Sequence, residues 1–155
     1  MPVRRLKEFL DNKNIKYMTI FHSQAFTAQE VAAFAHIPGK ELAKTVMVKI
    51  DGKMSMAVLS ASDKVDFDSL KEAVGASKVE LASEQEFIDL FPGCDIGTMP
   101  PFGNLYEMQV FVEKSLTEDT EIAFNAGSYT ELIRLSYKDF ERLVKPTVVK
   151  FSSNS

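Results

Sequence analysis

The sequence predicts an α+β fold: a single domain with a mixed or antiparallel sheet of about six or seven strands flanked by helices. Three observations carry this expectation. Segments with helical spacing and segments with strand-like alternation are interleaved along the chain. Capping and hairpin signals punctuate them at short intervals, with no internal repeat, low-complexity block or linker. The chain has 155 residues, enough to bury one core.

The elements follow in order. Val3, Leu6, Phe9 and Leu10 lie on one face of an amphipathic helix over 3–13, which Asn12 to Asn14 end. Ile15 to Phe21 reads as a strand. Thr27-Ala-Gln-Glu30 is a capping box for a helix to about His36, stopped by Pro38-Gly39. Lys44 to Ile50 alternates, with Val46, Val48 and Ile50 on one face, and Asp51-Gly52 is a two-residue hairpin signal leading into Met54 to Ala61. Asp66 caps a helix through Val74, with Gly75 in the C-terminal position. Lys78 to Leu81 is a short strand. Ser83-Glu-Gln-Glu86 caps a helix over about 84–91, which Pro92-Gly93 end. Tyr106 to Val112, Glu121 to Asn125 and Thr130 to Leu135 read as strands, and Ser136 caps a last helix through about Val144. The domain is expected over 1–146, with residues 147–155, ending in Ser-Ser-Asn-Ser, as a frayed tail.

Composition narrows the function. The net charge is −4, with 45% hydrophobic and 26% charged residues. A chain that coats nucleic acid is usually basic, so this one should not coat nucleic acid non-specifically and no DNA partner is expected, while a local grip on a phosphate or an RNA end stays open. Lys40, Lys44 and Lys49 are one candidate cluster for such a grip; a scattered set of solvated lysines is the commoner explanation. No apolar run approaches the about eighteen residues of a membrane span, and the first residues lack a signal-peptide core, so no membrane partner and a cytoplasmic location are expected. The single Cys94 excludes an internal disulfide and a thiolate zinc cluster, and His22 and His36 have no metal-ligand spacing. Neither metal nor cofactor is expected, since phosphate-loop and dinucleotide glycine motifs are also missing.

The most informative run is Gly97-Thr-Met-Pro-Pro-Phe-Gly103. Each proline fixes φ and lacks an amide donor, so the run forms neither a helix nor a central strand. It is a stiff loop, suited either to gripping a small ligand with its backbone or to a plain structural turn. Lys44, at the start of an apolar strand, can carry one compact charge to a phosphate or carbonyl, or simply end a strand in solvent. Asn125-Ala-Gly-Ser128 fits an ordinary β-turn as well as a ligand contact, with Gly127 and Ser128 as donors. His22-Ser23 invites a nucleophilic triad, yet no Gly-X-Ser-X-Gly elbow occurs.

Taken in order, His22-Ser-Gln-Ala-Phe-Thr-Ala-Gln-Glu-Val, Ile37-Pro-Gly-Lys-Glu-Leu-Ala-Lys44-Thr-Val, Gly93-Cys-Asp-Ile-Gly97-Thr-Met-Pro-Pro-Phe-Gly103 and Phe124-Asn-Ala-Gly-Ser128 resemble the YbaK/prolyl-tRNA synthetase-associated domain family. The resemblance runs from about His22 to Val144. It implies hydrolysis of the ester between a wrong small amino acid and the 3′ end of its tRNA by a trans-acting deacylase, a carboxylic ester hydrolase of translation fidelity. The partners it implies are the aminoacyl-tRNA 3′ end and, as a second, an aminoacyl-tRNA synthetase. It places Lys44 near the terminal nucleotide, Gly97 to Pro101 around the aminoacyl group, and residues 125–128 on the same pocket.

The catalytic set is then Lys44, Gly97, Gly127 and Ser128. The substrate-binding set is His22, Phe26, Thr27, Met47, Thr98, Met99, Pro100, Pro101, Phe102, Gly103, Asn125, Ala126 and Tyr129, with Phe26, Met47 and Phe102 as apolar lining. One departure stands out: many relatives carry histidine where this chain has Tyr129. That departure and the acidic balance keep a non-catalytic tRNA- or synthetase-binding module of the same fold as the alternative, with a hydrolase of free esters as a third reading.

Overall fold

The computed structural model describes residues 2–21, 41–95 and 98–153. Among them are ten strands and four α-helices; the helix expected after Thr27 lies outside the described residues. Helix α1 (Pro2–Asn12) buries Leu6 and Leu10 completely. It closes at Asn14, which takes the left-handed conformation (φ 57°) while the Ile15 amide returns to the Leu10 carbonyl at 3.1 Å. Strand β1 (Tyr17–Phe21) follows.

Strands β2 (Ala43–Ile50) and β3 (Lys53–Ser60) form the expected hairpin. Asp51 and Gly52 both have positive φ, 49° and 84°, as a tight two-residue connection requires. After β4 (Lys64–Val65) comes α2 (Phe67–Val74), capped as predicted: Asp66 Oδ1 accepts from the Ser69 amide at 3.1 Å, and Gly75 is left-handed. Then come β5 (Val79–Leu81), α3 (Glu84–Phe87), β6 (Gln109–Glu113), β7 (Glu121–Ser128), β8 (Glu131–Ser136), α4 (Tyr137–Val144), β9 (Thr147–Val149) and β10 (Ser152–Ser153).

The strands form three sheets rather than one sheet of six or seven. The largest is mixed, in the order β5-β2-β3-β6-β9; the second is antiparallel, β1-β8-β7; β10 and β4 make a short pair. A parallel bridge between Leu42 and Ala123 joins the two larger sheets. The helix expected to Phe91 gives way after Phe87 to a 3-10 turn over Ile88–Leu90. The strand expected from Tyr106 begins at Gln109, because the Tyr106 and Met108 amides both close on the Gly103 carbonyl at 2.9 Å.

Alternation along β2 sends its side chains to two cores. Ala43 and Met47 join Met56, Val58, Met99, Phe102, Phe124 and Phe140, whereas Val48 packs with Ala57, Leu59, Leu70, Phe111 and Phe151.

The tail is not frayed over 147–153. β9 pairs in parallel with β6, and Phe151 is 1% exposed. Its anchor is Glu113, a buried carboxylate that accepts from the amides of Ser115, Phe151 (2.9 Å) and Ser152 (3.3 Å). Burial acts to raise the Glu113 pKa, but these hydrogen bonds outweigh it and hold the carboxyl below its ordinary value. A depressed carboxyl contributes stability above its unfolded pKa and loses it as the pH falls through the folded one. Glu113→Gln should therefore cost about 1–3 kcal/mol at neutral pH. The gap to wild type should shrink as the pH drops below the ordinary glutamate value, which urea unfolding at pH 7 and pH 3 would measure.

Candidate functional site

Two stretches far apart in sequence are fastened together by backbone bonds. The Asp95 amide donates to the Gly127 carbonyl at 3.0 Å, and the Gly127 amide donates to the Thr98 carbonyl at 2.9 Å. The Tyr129 amide donates to Asp95 Oδ2 at 3.1 Å. The Asp95 carbonyl in turn accepts from both the Thr98 amide (3.1 Å) and Thr98 Oγ1 (2.6 Å). The cause lies in β7. Its pairing with β8 slips between Asn125 and Ser128, and Gly127 sits there at φ 99°. This is a bulge, which releases backbone groups from the ladder and aims them at the loop.

Asn125 to Ser128 is thus the irregular end of a strand, not the β-turn that its composition also suited. Gly127 serves as a clasp: its amide is spent on Thr98 and is not a donor for a reacting group. Ser128 Oγ lies 3.4 Å from both the amide and Oγ1 of Thr130. Asp95, the hub of the clasp, was not among the expected site residues; an Asp three residues before Thr98, at a turn, was the available signal.

The loop turns its side chains inward. Thr98, Met99, Pro100, Pro101, Phe102 and Gly103 are all buried. Phe102 is fully enclosed among Phe9, Phe124 and Phe140, with ring centroids at 6.2, 5.4 and 5.5 Å. Met47 is 3% exposed in the same core, with Ala126. Phe102 and Met47 are therefore core residues behind the loop, not an accessible lining. Gly97, His22, Phe26, Thr27 and Lys40 lie outside the described residues.

Lys44 pairs across the hairpin with Leu59 and shares the face of Val46 and Val48, opposite that of Met47. It is half-buried. Burial pushes its pKa down, with Asp63 opposing and Lys64 adding to the shift. Among the described residues no hydrogen bond or ion pair holds its ammonium. The parallel Leu42–Ala123 bridge carries the chain two residues further to Lys44 on one strand and Asn125 on the other. Asn125 Oδ1 is buried without a hydrogen-bond partner among the described residues. The Ala123 amide donates to the Glu41 carbonyl at 2.9 Å, and Arg134 spans Glu41 and Glu121 at 3.1 and 3.4 Å, holding this seam closed.

Lys44 and Asn125 thus stand at matching positions two residues beyond the bridge, and Gly127 of the clasp stands two residues beyond Asn125. Lys49 does not join them. It lies on the other face of β2, ion-paired to Glu86 and, at 3.3 Å, to Glu80. Cys94 supplies no nucleophile, because burial and then the Asp95 charge push its thiol up to about 11. Among the described residues no group of His, Cys, Asp and Glu is arranged to hold a metal, and no helix is long and apolar enough to cross a membrane.

Residues 22–143 match the aminoacyl-tRNA editing domain family. The chain is 27% identical over 153 residues to the multifunctional Ser/Thr-tRNA deacylase ProXp-y of Escherichia coli K12, covering 96% of this chain and 91% of that one. It is 27% identical over 145 residues to the prolyl-tRNA editing protein ProX of Acetoanaerobium sticklandii, covering 88% and 86%. The crystal structure of a candidate trans-editing enzyme for prolyl tRNA synthetase superposes with a TM-score of 0.83 at 19% identity, covering 98% of this chain and 97% of its own.

Proposed function

The chain belongs to the aminoacyl-tRNA editing domain family, and from that premise we propose that it is a trans-acting deacylase that hydrolyses the ester between a mischarged small amino acid and the 3′ end of tRNA. What supports the reading is that Lys44 and Asn125 stand at matching positions beyond the Leu42–Ala123 bridge while Gly127, two residues on, is fastened to Asp95 and Thr98 of the loop. An aminoacyl ester is already activated, so water suffices as the nucleophile and no serine or cysteine is needed. Water adds to the ester carbonyl, and the tetrahedral oxyanion collapses with cleavage of the bond to the ribose oxygen. That oxygen leaves with a proton, and the amino acid departs as its carboxylate.

Lys44 sets one positive charge where the terminal phosphate or the developing oxyanion lies, in a desolvated place where such a charge acts strongly. Asn125 Oδ1 accepts from a donor on the aminoacyl group or the ribose. Asp95, Thr98 and Gly127 fix the loop, which reads the size of the side chain as a second sieve. Such a sieve is needed because binding alone separates amino acids differing by a methylene only about ten- to two-hundred-fold. The relatives point to serine, threonine and proline-tRNA mischarging products as first candidates, and to prolyl-tRNA synthetase as the enzyme whose errors are corrected.

The test is deacylation of a panel of charged tRNAs carrying serine, threonine, alanine, cysteine and proline. Hydrolysis of one or two members well above the buffer rate is expected. A flat panel from folded protein would overturn the reading in favour of a binding module, which the engaged Gly127 amide and the presence of Tyr129 would then explain.

A further inference from the structure

At the C-terminal ends of α1 and α4 the surface opens into a cleft of about 550 Å³ lined by Phe9, Lys13, Asn104, Arg142, Leu143 and Lys145. Three of these six residues are cations and none is a carboxylate, in a chain whose net charge is −4. A cation at a helix C-terminus complements the helix dipole. That accounts for one lysine at each helix end, but not for two helix ends delivering theirs into one cleft. Arg142 is shared with Asp139 at 3.0 Å. Lys13 lies over the Phe9 ring at 6.0 Å, and Lys13 and Lys145 have no ion pair among the described residues. Lys145 also occupies the left-handed C-cap of α4 (φ 54°), a place where glycine is the usual residue.

We propose that this cleft is an auxiliary RNA subsite, in which Lys13, Arg142 and Lys145 hold backbone phosphates of the tRNA acceptor stem. Phe9, in this cleft, packs edge-on against the buried Phe102 of the loop, so the cleft and the loop share one core, and Asn104 lies six residues beyond Thr98. Six residues of chain reach at most about 20 Å, so Asn104 stands no further than that from Thr98. The apolar floor of Phe9 and Leu143 leaves room for a ribose between phosphates. The subsite rests on the deacylase reading for the identity of its RNA.

The test measures binding of uncharged tRNA to the whole chain across a salt series, with Lys13→Glu/Lys145→Glu and, separately, Lys145→Gly. The double reversal is expected to weaken binding at least about tenfold near 0.1 M salt and to flatten the slope of log affinity against log salt by about one to two. Lys145→Gly removes a charge at a backbone position that glycine favours, so it should weaken binding about two- to fivefold with an unchanged or higher melting temperature, which separates charge from folding. Turnover of an aminoacyl-adenosine ester should be unchanged in both. Wild-type affinity and slope in both variants would overturn the subsite, as would a parallel fall in turnover of tRNA and of the minimal ester. Displacement of tRNA by low-millimolar inorganic phosphate at constant ionic strength would make it a small-anion site and overturn the RNA assignment. If wild type deacylates nothing yet the variants lose salt-sensitive tRNA binding, the deacylase reading fails and the subsite stands.

Discussion

Lys44→Ala is expected to lower kcat/KM for the cognate mischarged tRNA by about two orders of magnitude or more, the effect of removing one preorganised electrostatic contact from a water-poor site. The fold should survive. Lys44 is half-buried with no hydrogen bond or ion pair among the described residues, so its removal leaves no orphaned partner and relieves the cost of keeping a charge out of water. Melting temperature and rate together decide the matter: a variant that melts like wild type and has lost its activity identifies Lys44 as part of the site. A variant that keeps full activity removes it. Lys44→Arg keeps the charge but replaces a compact ammonium with a broad planar fork, so only partial rescue is expected. The pH profile gives an independent check. Burial lowers the Lys44 pKa, so a reaction that needs the ammonium should fail on the alkaline side at a pH below the ordinary lysine value of 10.5.

Local signals were enough to read much of this chain, and the failures share one cause. The hairpin at Asp51-Gly52 and the caps at Asp66, Gly75 and Ser136 appear where expected, because each depends on a few adjacent residues. The end of β7 does not read as a strand, because Asn125, Ala126 and Gly127 are weak strand formers, and what holds them is the pairing of Asn125 and Ser128 with β8 and the bonds of Gly127 to Asp95 and Thr98. Lys49 reads as a free cation in sequence, yet Glu80 and Glu86, more than thirty residues on, pair with it. The tail looked polar and loose, yet its order comes from Glu113, 38 residues before Phe151. The two stretches expected to share a pocket, the Pro-Pro loop and residues 125–128, do meet. The residue joining them, Asp95, acts mainly through backbone groups, which no side-chain pattern announces. The burial of Phe102 is hidden for a related reason: a proline-rich loop has no period, so nothing in the sequence says which way its aromatic ring faces.

Phe102→Ala is expected to cost about 3–5 kcal/mol, the largest stability loss among single substitutions near the site. The ring is fully buried against Phe9, Phe124 and Phe140, which belong to α1, β7 and α4, so one side chain ties the loop to three elements. Whether the cavity collapses decides where in the range the value falls. Collapse would require the backbone to move inward, and two features resist it. Pro100 and Pro101 hold their φ angles. Gly103 already presses so closely on its surroundings that a Cβ there would stand 2.6 Å from both the Met108 carbonyl oxygen and Val110 Cγ2. The cavity should therefore stay open, and the cost should fall near the top of the range. With about 2–4 °C lost per kcal/mol for a domain of this size, melting should drop by roughly 10 °C or more, and urea unfolding would give the free energy directly. Phe102→Leu fills most of the space and should cost clearly less. A loss under about 1 kcal/mol for the alanine variant would mean that the loop relaxes freely, and a loop that relaxes freely cannot serve as a rigid sieve.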